Sequence, residues 1–129
     1  MEDVAEKVHN LGADSLRVML VNTAPVATNS VKADLTEITA QNGYPAGGTA
    51  ATITSSAQTS GTYKLVLADV VFTASGGSFG SLRYAVLYND TSTNKSLLGF
   101  WDYGSSPTIQ TGETFTWDAD ATTGVLTIA

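Results

Sequence analysis

Residues 82–103, LRYAVLYNDTSTNKSLLGFWDY, place two apolar runs on either side of a polar hexapeptide, and no other stretch restricts the fold as tightly. The hexapeptide Asn89-Asp90-Thr91-Ser92-Thr93-Asn94 is rich in residues whose side chains bond nearby backbone and so favour turns. In the first run Leu82, Tyr84, Val86 and Tyr88 alternate with Arg83, Ala85 and Leu87. In the second, Leu98 and Phe100 alternate with Leu97, Gly99, Trp101 and Tyr103. Both faces of both runs are largely apolar, which a hairpin with one face in water does not tolerate. The pattern predicts the central hairpin of an antiparallel sheet, covered on both sides by other parts of the chain or by another copy of it.

At 129 residues the chain has room for one core, so a single domain over 1–129 is expected, with 1–12 as an N-terminal helix and cap and 13–129 as the β domain. Only 14% of residues are charged, and the remainder is rich in Thr, Ser, Ala and Gly, a composition suited to sheet surfaces and assembly contacts. The net charge of −6 argues against a nucleic-acid partner, because phosphate binding rests on clustered Lys and Arg. The six basic residues here are spread one to a segment. With no cysteine there is no disulfide and no thiolate metal site. No apolar stretch approaches the ~18 residues of a membrane span. The first ten residues, MEDVAEKVHN, are acidic where a signal peptide is basic and then apolar, so a soluble or assembled intracellular product is expected.

Along the chain, residues 2–10 read as a short helix, with Val4, Val8 and Leu11 on one stripe, acids in the first turn, Lys7 and His9 in the last, and Gly12 beyond the end. Residues 15–22 form the first strand. A small accessory helix is expected at 31–36, capped by Asn29 or Ser30. Residues 42–48, NGYPAGG, are a loop by every local signal, with Tyr44 as its one large and outward-facing side chain. Strands follow at 49–56, 62–68 and 70–73, and a terminal hairpin is expected from 114–118 and 125–129. Seven or eight short strands with turn signals between them point to a mainly β fold, an antiparallel and jelly-roll-like β-sandwich. A partly closed barrel is the alternative, since periodicity does not separate the two.

The chemical inventory is thin. His9 is the sole histidine and reads as a cation at a helix C-terminus rather than as part of a catalytic triad. Residues 118–124, DADATTG, resemble a calcium loop but place the Gly one position late and Ala129 where a Glu is needed, so a plain turn is the better reading. Asp102, beside Trp101 and Tyr103, is the best candidate for one glycosidase carboxyl, and nothing identifies the second. The glycine pairs at 47–48 and 76–77 lack the spacing and the Lys of a phosphate loop. Tyr84, Tyr88, Trp101 and Tyr103 suit packing or an intersubunit contact, or the stacking of a sugar ring. No catalytic residue, cofactor or metal site is expected, and the chain reads as non-enzymatic.

From Val4 to Ala129 the sequence resembles a widespread family of small tailed-bacteriophage virion proteins. The stretches that carry the likeness are VHNLGADSLRVMLVNTAPVATNSVKADLTEI, TSGTYKLVLADVVFTASGG, RYAVLYNDT and GFWDYGSS. The resemblance implies a structural component of the virion and transfers no catalytic residue. Members carry a further lead-in before the position of Glu2, which bears on any reading of the N-terminus. Two roles are implied. One is a capsid decoration or cement protein, a trimer or dimer that bridges the major capsid protein or other virion proteins. The other is a tail-fibre module that binds host-surface glycans through Tyr44, Tyr84, Trp101 or Tyr103.

Overall fold

The computed structural model describes residues 6–122 and 124–128. Eleven strands run in chain order: β1 (Leu16–Val21), β2 (Thr49–Ala51), β3 (Ile53–Thr59), β4 (Thr62–Leu67), β5 (Val70–Thr73), β6 (Phe79–Gly80), β7 (Tyr84–Asn89), β8 (Leu97–Asp102), β9 (Thr108–Ile109), β10 (Thr114–Trp117) and β11 (Leu126–Ile128). Among the described residues all pairings are antiparallel, and no sheet closes on itself. The largest sheet has the order β2-β1-β7-β8. Three-stranded β11-β4-β3 and the pairs β10-β5 and β6-β9 make up the rest. No helix among the described residues is long and apolar enough to cross a membrane.

The period-two rule accounts for the layering. In β1, Leu16, Val18 and Leu20 point into the main core, where they meet Ala85 and Leu87 of β7, Leu65 and Leu67 of β4, Phe72 of β5, and Phe115 and Trp117 of β10. The alternate residues Met19 and Val21 face the other way and cluster with Val86 and Tyr88. Both faces of the β1–β7 pair are therefore covered, as the apolar alternation requires. What covers the second face is the chain's own segment 22–48, through Leu35 and a set of polar clamps. Tyr88 Oη donates to the Gly47 carbonyl at 2.6 Å, and Arg17 Nη2 to the Gly48 carbonyl at 2.6 Å. The Glu37 carboxylate accepts the Gly47 N–H at 2.7 Å. The second face of this pair is thus covered within the chain itself.

Several expected elements are corrected. No helix exists in the described part of 1–12: residues 6–14 are turns and bends, Lys7 has φ 67°, and residues 1–5 lie outside the described residues. Fewer than three turns of helix hold only by docking, and here side-chain bonds to Asn10 and His9 fasten the segment instead. The accessory helix shrinks to one 3-10 turn, Lys32–Asp34, because the Asp34 carboxylate takes up the N–H groups of Ser30 and Val31 in a tight local loop. These two bonds also hold the Asp34 carboxyl below the usual range.

The expected strand at 49–56 is two strands. Chain direction changes at Thr52, so that β2 pairs with β1 while β3 pairs with β4 through a two-residue turn at Ser60 and Gly61, both with positive φ. The expected terminal hairpin does not form either. β10 pairs with β5, Phe115 opposite Phe72 and Trp117 opposite Val70, whereas β11 pairs with β4. A bond from the Ala119 N–H to the Asp69 carboxylate at 2.8 Å turns the chain between the two destinations.

Candidate functional site

The exposed aromatic side chains gather on β8 and just beyond it. β8 is the outermost strand of the four-stranded sheet, with Tyr84 opposite Asp102, Ala85 opposite Trp101 and Val86 opposite Phe100. A bulge between Leu87 and Tyr88 sets Leu97 against Tyr88 and Gly99 against Leu87, leaving Leu98 as the extra residue. This reverses one expectation. Leu97 packs in the second cluster with Tyr88, while Leu98 packs against the main core, so Leu97 does not share a face with Trp101.

Trp101 lies on the core-side face of β8, and each of Trp101 and Tyr103 leans on an aromatic of β10. The Trp101 and Trp117 rings meet edge-on at 5.0 Å and 72°, and Tyr103 lies 5.2 Å from Phe115. Phe100 projects from the opposite face and meets Tyr84 edge-on at 6.0 Å. The inner partners Trp117 and Phe115 are buried, but Trp101 keeps 38%, Phe100 49% and Tyr103 59% of its surface in water. Arg83 lies 5.6 Å over the Tyr84 ring and donates to Asp102 through Nε at 2.9 Å and Nη2 at 3.2 Å. Asp102 also accepts the Gly104 N–H. The Arg83 bond, then the Gly104 bond, hold the Asp102 carboxyl below the usual range. A general acid needs the opposite shift.

A groove of about 750 Å³ opens between β8 and β11, with Leu65, Leu98 and Leu126 among its apolar walls, Trp101 beside them, and His9, Asn29 and Ser30 as polar members. Among the described residues no Asp, Glu, Lys or Arg lines it. His9 and Asn89 form a buried polar cluster with Asp14 that spacing alone did not single out. The Asn89 carboxamide nitrogen lies 2.9 Å from His9 Nδ1 and 2.6 Å from Asp14 Oδ2. The one hint in the sequence was an Asn at the end of an apolar strand.

Tyr44 is a correction. It is 2% exposed, its ring 5.6 Å from Phe72 and 5.9 Å from Phe79, and its hydroxyl accepts the Leu20 N–H at 3.0 Å. Burial, partly offset by that bond, pushes its phenol pKa well up. Its loop is folded inward, so Tyr44 presents nothing to a partner. Of the four expected contact residues, the structure sets Trp101 and Tyr103 against β10, puts Tyr84 on the opposite face of the sheet, and sends Tyr44 into the core. Phe100 joins Tyr84, unforeseen because the bulge decides which way it faces.

Among the described residues no group of three or more His, Asp or Glu side chains is arranged to hold a metal ion. Where the sequence resembles a calcium loop, Asp120 Oδ1 accepts the Thr122 N–H and the Asp120 carbonyl accepts the Gly124 N–H, the bonding of a turn. Comparison of the chain with protein-family models, with curated proteins and with solved structures finds no match.

Proposed function

We propose that this chain is a non-enzymatic structural protein of a tailed-bacteriophage virion, most simply a capsid decoration protein that works through sheet surfaces and self-association. The antiparallel layers are read as a jelly-roll-like β-sandwich around the main core. The observation that carries the reading is the row Phe100, Trp101 and Tyr103, large apolar side chains left 38–59% exposed at the end of an outermost strand. Together with the resemblance in sequence, it supports a protein whose outer surface is completed by assembly. Covering of the second sheet face by residues 22–48 removes that face from the argument and moves it to β8. The test is co-sedimentation of the purified protein with phage heads lacking small outer proteins. Saturable binding at a fixed ratio to the major capsid protein is expected; absence of binding to heads would defeat the reading.

A second reading has one observation in its favour. Trp101 and Tyr103 stand beside a groove with neutral polar members, as in a surface that stacks a sugar ring. It predicts glycan-array binding that Trp101→Ala abolishes with the fold intact. No binding across an array that includes host envelope glycans would dispose of it.

A further inference from the structure

We infer that β8 is the site of two-fold pairing with a second copy of the chain, strand added to antiparallel strand through Phe100 and Asp102. This rests on the assembly reading above and goes beyond it by naming the surface and the register. The Tyr103 N–H donates to the Arg83 carbonyl at 2.8 Å. In an antiparallel ladder, paired and unpaired positions alternate, so the backbone N–H and C=O groups of Phe100 and Asp102 point away from β7, toward the open side of the sheet. The earlier part of β8 is already occupied: the Leu97 N–H bonds to the Ser30 carbonyl at 2.9 Å, and Val31 bridges Ser96. Among the described residues nothing pairs with the Phe100–Asp102 end. Pairing both outward residues of each copy sets Phe100 opposite the partner's Asp102 and Trp101 opposite the partner's Trp101.

The open end is self-complementary, its two outward residues matching the same two of a second copy, and its charge permits that occupant. Two chains of net charge −6 repel unless they meet on a neutral surface. The free end of β8 carries one charge, Asp102, and Arg83 neutralises it within the same copy. The other long exposed edge, β3, presents Thr, Ser and Gln side chains and so has little apolar surface to bury. Area sets the strength. The exposed parts of Phe100, Trp101 and Tyr103 amount to roughly 300 Å² per copy, well short of the ~800 Å² per partner of a standard interface. The pair is therefore weak in dilute solution and completed where copies are held side by side.

The chain has no cysteine, so a single introduced thiol reports on its own neighbourhood. Trp101→Cys should form a disulfide-linked dimer under mild oxidation at least tenfold faster than Val71→Cys or Ala57→Cys, both at exposed positions. Equal rates would overturn the pairing. Because Trp101 also packs on Trp117, the unmodified protein supplies a second readout. Amide exchange at Phe100 and Asp102 should slow as concentration rises from micromolar to millimolar, and concentration-independent exchange would overturn the inference. A protein that binds heads while these amides stay unprotected leaves the virion role standing and removes the pairing alone.

Discussion

The Asn89 side-chain nitrogen lies 2.9 Å from His9 Nδ1, joining positions 80 residues apart beside the turn of the β7–β8 hairpin. Asn89 Oδ1 meanwhile accepts the N–H groups of Thr91 and Ser92, which fixes the carboxamide with its nitrogen toward His9 and Asp14. Nδ1 of His9 is then the acceptor. One side chain thus shapes the turn and fastens the N-terminal segment. Asn89→Asp should destabilise the protein by about 2–4 kcal/mol, since it replaces a buried donor with a charge facing Asp14. Urea unfolding monitored by tryptophan fluorescence measures it, and a change below about 0.5 kcal/mol would contradict the role.

Tyr44→Phe keeps the ring between Phe72 and Phe79 but strands the buried Leu20 N–H. A loss of about 1–2 kcal/mol is expected at neutral pH. The folded phenol has a raised pKa, so its contribution is complete below the unfolded tyrosine value of about 10 and declines as pH rises beyond it. Stability measured from pH 8 to 11 should therefore fall less steeply in Tyr44→Phe than in the parent. Equal slopes would show that Tyr44 ionisation does not couple to unfolding.

Gly48 has φ +78°, and a Cβ there would run into the carbonyl oxygen of Val18. Backbone on backbone cannot yield as a side chain does. Gly48→Ala should cost roughly 2 kcal/mol or more and loosen the loop that Arg17 clamps. Gly61→Ala, at φ +83° with open space around it, should cost less. Thermal melts of the two variants compare the clash with the conformational penalty alone.

Asp102 has a depressed folded-state pKa, so its contribution is present above the unfolded carboxylate value of about 3.9 and is lost as pH falls through the folded one. Asp102→Asn should flatten the acid side of the stability profile below pH 4 while changing little at pH 7, where an exposed pair with Arg83 is screened. A large loss at pH 7 would mean that the pair does more than join two surface side chains.

The strands and the two-sided covering of β7 were legible in the sequence because side-chain alternation has a local cause. Residues two apart lie on one face whatever the rest of the chain does, so Leu16, Val18 and Leu20, or Phe115 and Trp117, announce a buried face unaided. The site was legible in part. Trp101 and Tyr103 were recognisable as amphipathic aromatics, but loop signals placed Tyr44 outside when a hydrogen bond and two aromatic neighbours draw it in.

By itself, then, the sequence determined a cysteine-free, weakly charged, mainly β chain with a doubly apolar hairpin, whose second strand, expected to be central and covered, lies instead at the sheet edge. Only the tertiary structure decided which strands pair. Strand pairing joins residues far apart in the chain, and no local pattern distinguishes β5 from β11 as the partner of β10. It also decided the bulge at Leu98, where one extra residue reverses the faces of everything that follows. That reversal takes Trp101 to the face opposite Leu97, and the outermost place of β8 leaves both Trp101 and Phe100 partly in water.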